Sequence, residues 1–393
     1  MSFKGYSTAY LVLCGVALLS MLSMSLLGTV IPLFAKELGA SGVAIGLTVA
    51  GYWVSRILLE IPSGIISQRI GYFRSMTVGL GLNVLGSIFS AVAKDPVQFT
   101  IARILMGVGA PLFFAVSTTF VLNLFDAEHR GRAMGIFQGI EFGGTIIGSA
   151  FSGFLASLFN FRTSFLVSAG LIAVSIVPMY IFPHIKEASD GMTSGSSLSL
   201  SEIKQVISNK QLLIVSSAIF AEFVMSVGII MTIFPIYAVE SLGITLTDMG
   251  LIMGFRSVGF VISMFIMGTI SDRIGRRPVM LFGLGATAFL VASMSFISSF
   301  WGLSIVIFFL GITTGAIWIV SPVLASEAVE SDLRGAAIGA YRTFFDLGSI
   351  LGPIIMSIIF EGYGMVTCLN IASIILVLNL IPSMKIKSKN SNS

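Results

Sequence analysis

Residues 268–277 read G-T-I-S-D-R-I-G-R-R. Apolar stretches of membrane-spanning length lie on both sides, so the segment is a tight basic hairpin between two helices. Gly268 and Gly275 allow close backbone approach and positive φ. Arg273, Arg276 and Arg277 hold the turn on the positive, cytoplasmic side of a bilayer. Asp272 is placed to accept charge-assisted hydrogen bonds from a helix N-terminus or an arginine. An ordinary basic loop would obey the same charge rule, so the weight falls on whether the segment recurs.

It recurs. Residues 64–74 read G-I-I-S-Q-R-I-G-Y-F-R, 204 positions upstream, with Gly64, Arg69 and Gly71 kept and Gln68 in place of the acid. Thr29-Val30-Ile31-Pro32 matches Thr232-Ile233-Phe234-Pro235 at an offset of 203, and Arg130-Gly131 matches Arg334-Gly335 at 204. A repeat at this range means two homologous halves, as in transporters built from internal repeats.

The spacing G-x3-D-R-x-G-R-R resembles the signature loop of the major facilitator superfamily of secondary transporters, and every fixed position is filled. The resemblance implies an all-α membrane protein with twelve transmembrane helices in two pseudo-twofold-related six-helix bundles. The expected division is an N-terminal bundle over 1–183, a cytoplasmic linker over 184–210, a C-terminal bundle over 211–384 and a basic tail over 385–393.

Composition agrees with a polytopic membrane protein. Hydrophobic residues make up 55% and charged residues 10%, against about 25% charged in a soluble domain. Mean hydropathy is +1.00. The net charge of +4 comes from loops and is no argument for nucleic acid. Cys14 and Cys368 lie in apolar helices near opposite ends and read as free buried thiols. No signal peptide is evident, because the first apolar run is too long for one.

Twelve spans fit a hydrocarbon core about 30 Å thick. They lie near 9–34, 44–67, 75–93, 97–122, 133–159, 163–183, 211–238, 248–271, 278–298, 301–325, 336–360 and 364–382. With both termini inside, the cytoplasmic segments hold 15 of the 22 Lys and Arg and the outer segments 3, namely Lys36, Lys94 and Arg162. That bias puts both termini in the cytoplasm of a multi-pass cell (plasma or inner) membrane protein. In the linker, Ser201-Glu202-Ile203-Lys204 reads as the start of a short interfacial helix.

The fifth span carries Gly135, Gly144, Gly148 and Gly153, and the eleventh carries Gly339, Gly348, Gly352 and Pro353. G-x8-G-x3-G-P resembles the superfamily motif that goes with drug/proton antiporters. In the fifth span Ser149 replaces its proline and Ser152 a later glycine. Generic small-residue helix packing accounts for the pattern equally well.

A charge at mid-bilayer costs at least ~2.5–3.5 kcal/mol, so each needs a partner, a wet cavity or a function. Eight lie in the spans: Arg56, Arg103, Arg256, Arg342, Glu60, Glu141, Glu222 and Asp346. At 1.5 Å per residue, Arg56 and Asp346 lie at similar depths, ~16 and ~15 Å, as do Glu60 and Arg342, ~10 and ~9 Å. The second and eleventh helices face each other in this superfamily. The resemblance therefore implies a four-charge clasp, an interdomain gate closing the cytoplasmic side. Two intrahelical i,i+4 pairs would neutralise the same charges. Under the clasp, a cysteine at position 56 or 346 changes its labelling from the cytoplasm between transport states, and unchanged labelling excludes it.

Arg103 opens R-I-L-M-G-V-G-A, similar to the superfamily's fourth-helix motif, whose arginine is implicated in proton transfer. Ile307 stands at the matching place of the second half. Glu222, mid-way along the seventh span with no basic i,i+4 neighbour, is the first candidate for a carboxylate that takes and releases the coupling proton. Glu141 is the second, and Arg256 a possible partner, ~10 Å away along the membrane normal. Structural pairing within the bundle is the alternative for both acids.

The cavity-lining spans of the superfamily offer Ser20, Ser23, Ser25, Ser117, Thr118, Thr119, Ser226, Thr313, Thr314 and Trp318 here. A cavity with few charges and adaptable Met and Phe suits an amphipathic solute. The reading is a secondary active transporter working by alternating access, exporting a small amphipathic compound in exchange for protons. An uptake symporter for an organic anion, with Arg103 or Arg256 as ligands, and a non-transporting membrane sensor are the alternatives. The partners are the solute, protons and the lipid bilayer; the chain is expected to act as a monomer with no cofactor and no metal. His129 and His184 are expected in loops, and no G-x-S-x-G or phosphate loop suggests an enzyme.

Overall fold

The computed structural model describes residues 8–190, 208–330 and 333–386. Among them the chain is helical and forms two compact units. The first comprises Met1–Gly39 and Gly51–Gly195, the second Ala40–Ala50 and Ser196–Ser393. Among the described residues ten helices are long and apolar enough to cross a membrane.

In the first unit the elements are α1 (Thr8–Leu26), α2 (Val30–Glu37), α3 (Val43–Ile70, whose residues up to Ala50 belong to the second unit), α4 (Tyr72–Val92), α5 (Pro96–Leu124), α6 (Ala127–Leu158), α7 (Phe161–Ile181) and α8 (His184–Asp190). The first expected span is therefore broken. Its apolar run continues through Leu27–Thr29, so hydropathy alone does not register the turn between α1 and α2. α8 lies in the stretch assigned to the linker. Its Ile185 is fully buried in the first unit's core, and the Ser189 hydroxyl accepts a hydrogen bond from the Phe73 amide. The rest of the linker over 191–207, including Ser201–Lys204, and the tail from 387 on lie outside the described residues.

The second unit contains α9 (Lys210–Met225), a π-helical segment (Ser226–Ile233), α10 (Phe234–Glu240), α11 (Leu246–Ile274), α12 (Arg276–Ser293), α13 (Phe300–Glu327) and α14 (Arg334–Ser383). α14 holds two expected spans and turns at Gly364, where φ is +77°. His129 falls in the first turn of α6 and His184 opens α8, so neither sits in a loop.

The repeat is visible in the backbone. α3 passes to α4 through Gly71 alone and α11 to α12 through Gly275 alone, with φ of +88° and +93°. That region strongly favours glycine. Gly268, by contrast, lies inside α11, and a Cβ placed on it would stand 3.9 Å from Ile319, so neither positive φ nor close approach applies there. Asp95 caps α5 and Ser299 caps α13, again 204 positions apart.

Glycines set the helix contacts. A Cβ on Gly144 of α6 would stand 2.5 Å from the Leu18 carbonyl oxygen of α1. One on Gly348 of α14 would stand 2.6 Å from the Phe220 carbonyl oxygen of α9. These backbones touch, which is how helices gain packing energy in lipid. Gly135 and Gly339, the first positions of the glycine motif, meet nothing within 4 Å. Outward faces carry Phe151, Val174, Phe265 and Phe289, all more than half exposed, as lipid contact requires.

Candidate functional site

The charged site of the second unit is built on α9 and α11. Glu222 lies one helical turn before Ser226, so both side chains leave the same face. The Ser226 hydroxyl donates to Glu222 Oε1 at 2.6 Å, and Arg256 of α11 donates from Nη2 to Ser226 Oγ at 2.9 Å. Glu222 is 3% and Ser226 2% exposed. Among the described residues Glu222 and Arg256 form no direct ion pair; one hydroxyl stands between them. Arg256 Nε is buried and without a hydrogen-bond acceptor. Charge-assisted bonds of this length, in surroundings this poor in water, are strong. Ser226 is the acceptor that the structure gives Arg256.

The π segment begins at Ser226, whose amide is shared between the Glu222 and Phe223 carbonyls. It follows from an extra residue. Gly144 and Gly348 meet Leu18 and Phe220, an offset of 202 between α1 and α9, whereas Thr29 and Thr232 downstream stand at 203. A π turn is how a helix absorbs one inserted residue, and such turns concentrate at functional sites.

By the same offsets, the first-unit counterparts of Glu222, Ser226 and Arg256 are Ser20, Met24 and Tyr52. They keep the geometry without the charge: Tyr52 Oη donates to the Met24 sulfur at 3.5 Å. Ser20, Ser23, Met24, Asn83, Met106 and Ser168 line a small cavity inside this unit. Arg103 lies beside it, 5% exposed. Its guanidinium stacks over the Tyr52 ring at 5.0 Å and reaches the Met106 sulfur at 3.5 Å, with no ion pair among the described residues. A cation–π contact is worth roughly 0.5–2 kcal/mol and only partly offsets the burial of a charge.

Other expected residues divide between the units. Arg56 pairs with Glu60 in its own helix at 3.6 Å and lies over the Trp53 ring. Asp346 is 1% exposed on α14; its neighbour Phe345 packs edge-on against Phe223 at 4.0 Å and against Trp318 at 5.7 Å. Glu141 is buried on α6. Ser117 and Thr314 donate to carbonyls three or four residues back, so their hydroxyl protons serve their own helices. Ser25 is half-buried.

In the signature loop, Arg276 reaches Glu327 of α13 at 3.0 Å and Asp272 at 3.7 Å. The exposed ends of Asp272 give the second contact little weight. The counterpart in the first unit is neutral: Asn123 Nδ2 donates to Tyr72 Oη at 3.0 Å. Glu327, like Ser226 as a bridge, was not read from the sequence. The repeat offset of 204, applied to Tyr72 and Asn123, is the signal that points to Arg276 and Glu327.

The profile of the Major Facilitator Superfamily matches residues 13–228 and again residues 223–391. The chain belongs to the Major Facilitator Superfamily. As a member of that superfamily it is a multi-pass membrane transporter. It is 23% identical over 365 residues to multidrug resistance protein 2 of Bacillus subtilis (strain 168), covering 92% of this chain and 90% of that one. It is 26% identical over 351 residues to the multi-drug resistance efflux pump PmrA homolog of Lactococcus lactis subsp. lactis (strain IL1403), covering 87% and 85%. Among solved superfamily structures, a bacterial homolog of the human lysosomal transporter Spinster, in an inward-facing and occupied conformation, superimposes with a TM-score of 0.80 at 12% identity, covering 95% of each chain. The nucleoside transporter NupG superimposes with a TM-score of 0.77 at 15% identity, covering 97% and 99%.

Proposed function

We propose that this superfamily member exports small amphipathic compounds of neutral or positive charge, in exchange for protons, by alternating access. The observation that carries the reading is the Glu222–Ser226–Arg256 chain. With Glu222 ionised the site is close to neutral. When Glu222 takes a proton the site keeps the Arg256 charge and repels a cation. Proton and cationic solute then compete for one site, which is the logic of antiport. The multidrug names of full-length relatives support the export direction.

The same arithmetic gives the opposite sign for an anion, which binds better once Glu222 is protonated. Arg103, buried without an ion pair among the described residues, favours that second reading, an uptake symporter for an organic anion. Twelve crossings belong to the proposal: α6, α14 counted as two arms and the nine other long apolar helices. So do cytoplasmic termini, a cell-membrane location, a monomeric state and the gate formed by Arg56, Glu60, Arg342 and Asp346.

Proteoliposome flux separates the readings. An amphipathic cation and an organic anion are tested in parallel under imposed pH gradients. Antiport predicts that the cation leaves the acidic side's opposite compartment against its gradient as protons flow down theirs. Accumulation of the anion together with protons, with no cation movement, would establish the symporter instead.

A further inference from the structure

Resting on that reading of Glu222, we infer that Ser226 is a positioning residue that keeps Glu222 and Arg256 from pairing directly, so that the acid can exchange its proton. The hydroxyl uses its proton on Glu222 and a lone pair on Arg256. Neither charged group touches the other, and each is held by the same oxygen. Remove that oxygen and nothing neutral remains between a flexible guanidinium and a buried carboxylate. Their attraction in a poorly screened interior exceeds a single hydroxyl bond several-fold, so they close on each other. A direct arginine contact favours the ionised carboxylate more strongly than a hydroxyl does.

The first unit supports the assignment. Its matching slots hold Ser20, Met24 and Tyr52, where no charges need separating, and there the bridging position is a thioether. The second unit alone has charges at both ends and a hydroxyl between them. The serine also sits where the π turn starts.

Other charges near the site are common to every variant below. Arg256 comes from α11. Arg342 and Asp346 lie on α14, which packs against α9. α13 carries no charge before Glu327 at its far end.

The test is difference infrared titration of the purified full-length protein in lipid nanodiscs, with no solute added. The carboxylic-acid carbonyl band lost in Glu222→Gln belongs to Glu222. Relative to wild type, Ser226→Ala should move the midpoint of that band by at least about one unit toward lower pH, a tenfold change in proton binding. Ser226→Thr, which restores the hydroxyl, should keep the wild-type midpoint. A midpoint that is unchanged or moves to higher pH in Ser226→Ala overturns the role of Ser226. If Glu222→Gln removes no band at any pH, the proton site itself fails, and with it the proposed coupling.

Discussion

Glu222→Gln should abolish pH-gradient-driven transport, by at least about 100-fold in rate, while leaving exchange of an uncharged solute across a membrane without a gradient. Glutamine keeps the size and can still accept the Ser226 hydrogen bond, so the helix packing around a residue that is 3% exposed is retained. What it loses is the ability to alternate between neutral and charged. The site then holds the Arg256 charge permanently, as the protonated wild type does only for part of its cycle. Parallel measurements of gradient-driven flux and of counterflow in the same liposomes check the split. Full pH-driven activity in this variant would remove Glu222 from the coupling path and leave Glu141 as the next acid to test.

The second large effect lies in packing. Gly348→Leu should leave little monodisperse protein in detergent, because even the first carbon of its side chain meets the Phe220 carbonyl oxygen at 2.6 Å. Backbone cannot step aside as a flexible side chain can, so α9 and α14 must separate. Overpacking in a tight core costs about 1–3 kcal/mol and more where relaxation is blocked. Gly339→Leu, in the same motif but with nothing within 4 Å of its Cβ position, should change thermal stability by no more than about 0.5 kcal/mol. Thermal unfolding followed by size-exclusion chromatography compares the two. Equal losses at both positions would mean that the motif acts as a unit and not through this one contact.

That contrast shows where the sequence was legible. The glycine spacing was visible in both halves, but spacing alone cannot distinguish Gly348, which touches a neighbouring backbone, from Gly339, which touches nothing. The repeat itself was readable because chain-long offsets survive divergence: residues 64–74 and 268–277 lead directly to matching single-glycine turns at Gly71 and Gly275. The break between α1 and α2 was not readable, because Leu27 and Gly28 switch to hydrogen bonds three residues back without interrupting hydropathy. Nor was the π segment, since apolar residues compose α and π turns alike. It shows in the structure as a rise of the repeat offset from 202 at Phe220 to 203 at Thr232.

The charged site divides in the same way. Intramembrane charges identified Glu222 and Arg256 as residues needing an explanation, because lipid penalises any charge without one. Their connection was hidden. Glu222 and Ser226 share a helix face, which i,i+4 spacing reveals, but Arg256 arrives from α11 and no spacing in the sequence ties it to one acid. Tertiary packing chose among them. The repeat then clarifies why: Tyr52 and Met24 meet in the first unit as Arg256 and Ser226 meet in the second, so an ancestral contact between these helix faces carries charge in one half only.

One measurement tests the central claim that proton and solute share the Glu222 site. Purified protein in weakly buffered nanodiscs is mixed with an amphipathic cation that it transports, and proton release is followed with a pH indicator dye. The account predicts release of protons on binding by the wild type and none by Glu222→Gln. No release by the wild type, or uptake of protons in its place, would contradict it.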